Sequence, residues 1–322
     1  MSATGIAPCI EVRDLERSYR VWHRRERIRA VSGIDLTVNR AEIFGFLGPN
    51  GAGKTTTVKI LLGLMRPDKG SVRILGMAPD NPALKRRTGY MPERMLLPTY
   101  LRLEEMLRMF GGLSGLRGAV LAEAVRRTID TVGLSSVARN RLDTFSKGML
   151  QRASLAQAIL ADPEVLFLDE PVHGLDPVGR REFRELLRRL RAQGKTVFLN
   201  SHELEVVEQV CDRVAILNKG KVLATAPIST LRDSQRYWIA ADGDFGDPAA
   251  LAENIGAAVT LAEDPRRLVL ESGGVAAANR AIDALRQRGL VISGLGPCAR
   301  SLEDLFMESI AKTGEVTRNG GL

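Results

Sequence analysis

Cysteine is scarce, with three residues in a chain of 322: Cys9, Cys211 and Cys298. They are odd in number and far apart, so they make neither a zinc-binding spacing nor a disulfide framework, and a reducing compartment is expected. No stretch approaches the roughly 18 consecutive apolar residues that a membrane-spanning helix needs. Met1–Leu15 carries Glu11, Arg13 and Asp14 where a signal peptide would need an apolar run, so none is expected. Phosphate-binding features occur once, without an internal repeat. At 44% hydrophobic and 26% charged residues, the composition argues against a disordered, collagen-like or membrane-embedded chain. What is in surplus is positive charge: 46 Lys and Arg against 38 Asp and Glu, a net +8. Such a balance suits nucleic acid, an anionic membrane surface, a phosphate-rich ligand or a merely solvated face, and does not choose among them.

At about 150 residues per domain, the length predicts about two domains. Ile10–Arg13 and Gly33–Val38 alternate apolar and polar residues, as strands with one wet face do. Ile43–Leu47, Val165–Leu168 and Thr196–Asn200 are short, nearly continuous apolar runs that suit strands covered on both faces. Between and after them, helices are predicted over Lys54–Leu64, Glu104–Phe110, Gly118–Val132, Leu150–Leu160, Val178–Arg191 and Glu203–Cys211. This alternation predicts a mostly parallel α/β sheet. Asn218-Lys219-Gly220 marks a hairpin turn. Beyond Pro227 the pieces shorten into a β-α-β-β-α-β order, a small α+β domain over 228–311, with a polar, Gly-rich tail over 312–322.

The strongest motif is Gly48-Pro49-Asn50-Gly51-Ala52-Gly53-Lys54-Thr55-Thr56, between a buried strand and a helix. It matches G-x-x-x-x-G-K-[ST], in which glycines let backbone N–H groups wrap phosphates and the helix adds its positive end. Lys54 is expected to reach the β- and γ-phosphates and the Thr55 hydroxyl to ligate Mg²⁺. Such a loop needs a second strand ending in a carboxylate, and Val165–Asp169 supplies one, followed at once by Glu170. Two adjacent acids at a buried strand end need a cation or protons to neutralise them. Asp169 is expected to bind Mg²⁺ and Glu170 to polarise the attacking water. At Thr144–Arg152 a small, flexible stretch opens a helix, where Ser146 and the N–H of Gly148 would make a second anion cradle.

That stretch, Ser146-Lys147-Gly148-Met149 with Gln151 following, resembles the signature of ATP-binding cassette (ABC) proteins and lies upstream of the Asp169-Glu170 strand. The resemblance spans about Cys9 to Pro227 and extends to other segments. Pro171–Pro177 looks like the D-loop region, with Asp176 at a dimer contact. His202, after Asn200-Ser201, is similar to the switch histidine at the γ-phosphate. Glu93 falls at the Q-loop glutamine, near the metal, and Tyr19 resembles the aromatic that stacks on adenine. Three departures stand out. Glu93 replaces glutamine, Phe145 and Lys147 replace the usual Leu and Gly of the signature, and His23–Arg27 lengthens the loop after Tyr19.

The resemblance implies a P-loop cassette over 8–227, with a helical subdomain at about 95–160, that binds and hydrolyses ATP with Mg²⁺. It implies a head-to-tail homodimer in which Asn50, Gly51, Ala52, Gly53, Lys54, Thr55 and Thr56 of one subunit hold ATP. Ser146, Lys147, Gly148 and Met149 of the other would cover it. The ending Ser301–Phe306 resembles exporters of drugs, sodium or lipids, whose membrane-spanning subunit is a separate chain. The protein would then sit at the cytoplasmic face of the membrane through that permease. Leu101, Leu103, Met106, Leu107 and Phe110 either dock the permease or form subdomain core. Arg20–Arg29 and Arg180–Arg191 are either near anionic lipid or simply solvated. Nucleic acid is disfavoured as a partner. The competing reading is an ABC-type ATPase acting on nucleic acid or a macromolecular assembly, which the lack of a long coiled coil or a second cassette weighs against.

Overall fold

The computed structural model describes residues 7–20, 27–94, 96–232, 236–262, 264, 266–298 and 302–312. The chain divides into two compact units, Met1–Ala226 and Pro227–Leu322.

The first unit starts with β1 (Ile10–Arg20), β2 (Arg27–Val38) and β3 (Ile43–Leu47). Next come α1 (Lys54–Leu61), β4 (Lys69–Ile74), α2 (Pro82–Lys85) and β5 (Thr88–Met91). A helical stretch then runs through α3 (Leu103–Leu113), α4 (Gly118–Thr131) and α5 (Lys147–Ile159). The unit continues with β6 (Val165–Asp169), α6 (Pro177–Ala192), β7 (Thr196–Ser201), α7 (Leu204–Val210), β8 (Arg213–Asn218) and β9 (Lys221–Pro227). Six strands form one sheet in the order β5-β6-β7-β3-β8-β9, and the pairs from β5 through β8 are parallel. A second sheet, β2-β1-β4, is antiparallel.

Every residue of β3, β6 and β7 is buried, because layers cover both faces of the sheet. Phe198 on β7 touches Phe44, Phe46 and Phe167 at ring-centroid distances of 5.9, 5.3 and 5.7 Å, which locks the three central strands together. Since β6, β7 and β3 are neighbours and parallel, their carboxyl ends open on the same edge. In open α/β sheets that is where ligands bind. Leu103, Met106 and Leu107 are fully buried and form subdomain core, whereas Phe110 lines a cleft.

The sequence reading missed β4, whose Val72 and Ile74 are its sole buried side chains, and the four-residue β5. At Gly89 of β5 a Cβ would lie 2.1 Å from the Ala158 carbonyl, so glycine here serves the close approach of α5. α1 stops at Leu61, short of the expected Leu64, because Gly63 turns left-handed at φ +65°. Residues 23–26, expected to lengthen the loop after Tyr19, lie outside the described residues, as do 313–322 of the expected tail.

The second unit comprises α8 (Ile228–Arg232), β10 (Tyr237–Asp242), α9 (Pro248–Ile255), β11 (Val259–Leu261), β12 (Arg267–Leu270), α10 (Gly274–Gln287), β13 (Val291–Pro297) and α11 (Leu302–Lys312). From β10 to β13 the order is β-α-β-β-α-β, folded as an antiparallel sheet β11-β12-β10-β13. Leu251, Leu268, Leu270, Ala277, Ala281 and Leu285 belong to its core, separate from that of the first unit. α11 includes Lys312, one residue beyond the domain boundary expected from the sequence.

Candidate active site

β3 delivers the chain into the loop 48–53, and the loop's geometry demands its glycines. A Cβ on Gly48 would lie 2.3 Å from the Leu217 carbonyl oxygen, and one on Gly53 would lie 2.1 Å from that of Ala30. Gly53 also sits at φ +104° and Gly51 at φ +80°. Ala52 is buried in the loop, and Asn50 is exposed at its tip. The Lys54 ammonium donates to the carbonyls of Gly48 (2.6 Å) and Pro49 (3.2 Å) and is buried. Burial pushes its pKa down, while the negative charges of Glu170, Asp169 and Glu93 oppose that shift. Thr55 leaves its side chain exposed at the start of α1. Thr56 is buried, its hydroxyl 3.1 Å from that of Tyr19, and Arg17 lies over the Tyr19 ring at 5.7 Å.

β6 ends in Asp169 and passes directly to Glu170, and both are buried. Asn200, opposite Asp169 on β7, donates its side-chain amide to the Asp169 carboxylate, and its carbonyl accepts from the Glu170 N–H at 2.9 Å. Glu170 adopts φ +49°, an unfavourable conformation for a residue with a Cβ, of the kind held by surrounding contacts at functional sites. Its carboxylate is oriented at both oxygens. Oε1 lies 2.7 Å from Nδ1 of His202, and Oε2 accepts from the Ser201 hydroxyl at 3.2 Å. Burial raises the pKa of Asp169; the Asn200 amide and Lys54 oppose this, while Glu93 and Glu170 add to it. Burial likewise raises that of Tyr90, helped by Asp169 and Glu93. Glu93 is exposed and within electrostatic reach of Lys54 and Asp169.

Thus Lys54, Glu93, Asp169, Glu170 and His202 converge at one sheet edge. Thr55, Glu93 and Asp169 offer oxygen donors only, the set that suits a hard cation such as Mg²⁺. Asn200 and Ser201, which brace the two acids, were read from the sequence only as part of a strand end. The available signal was two polar residues closing an otherwise apolar run.

The signature stretch lines a depression of its own. Ser146 caps α5, accepting from the Met149 N–H at 3.3 Å. Gln151 is buried and donates to the His173 carbonyl at 3.1 Å, tying α5 to the 170–176 turn. Lys147 lies over Gly174, where an added Cβ would meet its Nζ at 1.8 Å. The bulk of Lys147 is therefore spent on this turn. Asp176 caps α6 by accepting from the Gly179 N–H at 2.8 Å. Ser146, Gly148, Met149 and Asp176 line one depression of about 330 Å³, and no residue of the 48–56 loop lines it.

A family model described as ABC transporter matches residues 31–173, and one described as AAA domain, putative AbiEii toxin, Type IV TA system matches residues 140–208. An uncharacterized ABC transporter ATP-binding protein of Synechocystis sp. is 36% identical over 315 residues, 97% of this chain and 87% of that protein. The chain belongs to the ABC transporter ATP-binding protein family. The cassette binds ATP and is an ATPase. It is also similar to the Nod factor export ATP-binding protein I of Burkholderia lata, 36% identical over 229 residues, 70% of this chain and 75% of that protein. A solved ATP-binding subunit of an ABC transporter superposes at a TM-score of 0.59 and 32% identity, covering 70% of this chain and 92% of that one. Among the described residues, no helix is long and apolar enough to cross a membrane.

Proposed function

We propose that two cassettes close head to tail around two ATP molecules and, through a separate membrane-spanning permease, power export. The observation that supports this reading is the division of the machinery within one chain: no residue of the 48–56 loop lines the depression that Ser146, Gly148, Met149 and Asp176 line. A second copy would bring its Ser146 against the phosphates held by the first. Asp176, exposed beside Ser146, would contact the partner.

In this reading the loop N–H groups of Asn50, Gly51, Ala52 and Gly53 receive the phosphates, together with those of Lys54, Thr55 and Thr56. Lys54 exchanges its two carbonyl acceptors for β- and γ-phosphate oxygens. Tyr19 offers its ring to the adenine. Thr55, Asp169 and Glu93 would hold Mg²⁺, which would supply charge neutralisation for the phosphates. Glu170 accepts the proton of the attacking water, its carboxylate fixed by Ser201 and His202. His202, held through Nδ1, presents Nε2 to the γ-phosphate. Ser146, Lys147, Gly148 and Met149 of the partner close the site from the far side, and loss of the γ-phosphate releases them.

Docking of the permease is supported by a cleft of about 1050 Å³ beside α3, lined by Leu96, Leu97, Phe110, Leu113 and Leu116 among others. Leu96 and Leu113 expose most of their apolar surface there, as a surface awaiting a partner does. The direction, export, follows the similarity to the Nod factor export protein and the Ser301–Phe306 ending. Through the permease the cassette sits at the cytoplasmic face of the membrane. Lipid contact by α6 gains little support, since Arg180, Arg188 and Arg191 pair with Glu203, Glu185 and Asp212. The test is sedimentation with membranes of cells that co-express a separate permease subunit, against membranes without it: ATP-stimulated co-sedimentation with the first is expected, and binding to DNA instead of membranes would reverse the assignment.

A further inference from the structure

Two side chains at the edge of the site, His173 and Glu203, have no part in the chemistry above, and they stand beside His202, which does. His173, His202 and Glu203 each bring a ligand atom within 4.8 Å of the others, the one such His/Cys/Asp/Glu group among the described residues. His173 lies in the turn after Glu170. Its Nδ1 is 3.7 Å from Oε1 of Glu203, and its ring centroid is 5.8 Å from that of His202. Ligands on a tetrahedral ion with bonds near 2.1 Å stand about 3.4 Å apart. The Glu203 pair is already close to that spacing, and the exposed His173 imidazole can turn the rest of the way.

The surroundings orient the ligands. Nδ1 of His202 is held by the Glu170 carboxylate at 2.7 Å, which leaves Nε2 outward; a carboxylate behind a ligating imidazole is the usual support in metal sites. Glu203 is fixed by Arg180 through Oε2 at 2.7 Å, which leaves Oε1 toward His173. Two imidazoles and one carboxylate form a donor set for zinc-class ions, distinct from the oxygen-only set at Thr55, Asp169 and Glu93.

We propose that His173, His202 and Glu203 form an inhibitory binding site for a divalent transition ion of the zinc class. The ion takes Nε2 of His202, the atom assigned above to the γ-phosphate, so occupancy of the site arrests hydrolysis. This inhibitory part rests on the proposed role of His202; the binding part does not.

The test uses the full chain and Zn²⁺ alone, without nucleotide, by calorimetry, with Co²⁺ absorption reporting coordination. One ion per chain is expected. His173→Asn and Glu203→Gln should each weaken binding by at least about tenfold, at the lower end of what disturbing a metal site's support alone produces. In ATPase assays with excess Mg²⁺-ATP, micromolar Zn²⁺ should inhibit the wild type, and His173→Asn should resist while keeping basal turnover. Chelation of ATP by zinc would affect both proteins equally and so is told apart. Equal zinc affinity in wild type and His173→Asn overturns the site. Binding through His173 without inhibition overturns the regulatory role. Full turnover by His202→Ala would refute the γ-phosphate assignment while leaving the zinc measurement standing.

Discussion

Replacing Glu170 with glutamine removes one charge and almost no volume, so its effect on turnover isolates the proton-accepting role. The amide oxygen can still accept from His202 Nδ1, 2.7 Å away in the wild type, and the Ser201 hydroxyl can reverse its hydrogen bond to face an amide N–H. The backbone at φ +49° is unaffected by the swap. One of the negative charges that raise the Asp169 pKa disappears, so the variant should fold with an undiminished melting temperature. A positioned general base contributes about 10²–10⁴ to rate. At 1.36 kcal/mol per decade this is about 2.7–5.4 kcal/mol of barrier. Steady-state phosphate release should therefore fall by at least about a hundredfold. ATP affinity by calorimetry should be unchanged, and size-exclusion chromatography in ATP should show a dimer that the wild type does not accumulate. Turnover above about a tenth of wild type would refute the assignment of Glu170, because loss of a general base cannot be that mild. Loss of ATP binding would refute it as well, by making Glu170 a binding residue.

Lys54→Ala removes a charged donor to phosphate, worth about 1.5–3 kcal/mol, so ATP affinity should fall by about 10- to 150-fold; unchanged affinity by calorimetry would count against the P-loop assignment. Gly48→Ala forces a Cβ to within 2.3 Å of the Leu217 carbonyl and should destabilise the first unit by about 1–3 kcal/mol in denaturant melts. The Arg87 guanidinium, hydrogen-bonded to Glu164, holds that carboxyl below the usual glutamate range. A folded pKa below the unfolded one gives stability that is present above about pH 4.3 and is lost as the pH falls through the folded value. Arg87→Met should therefore lower the denaturant midpoint at pH 7, by at most about 1 kcal/mol since both partners are 39% and 42% exposed, and the gap to wild type should close in acid.

Much of the architecture was legible because its signals are local. A strand covered on both faces must be apolar throughout, and β3, β6 and β7 are. The phosphate loop needs glycines at fixed spacing, and residues 48–56 have them. The acids that follow β6 are adjacent in sequence, and the change in character after Pro227 marked the second unit. β4 and β5 escaped because a strand with two buried side chains, or only four residues, has too little pattern to read.

Other features exist only through the fold. Asn200 and Ser201 lie 31 residues from the acids they brace, and parallel pairing of β6 with β7 puts them there. The strain at Glu170, the resting of Lys147 over Gly174, and the grouping of His173 with His202 and Glu203 likewise depend on which strand ends become neighbours. The sequence alone determined which chemical groups the chain owns and which local elements carry them. Tertiary structure alone decided which groups face one another, because strand order and register set distances that spacing along the chain does not encode.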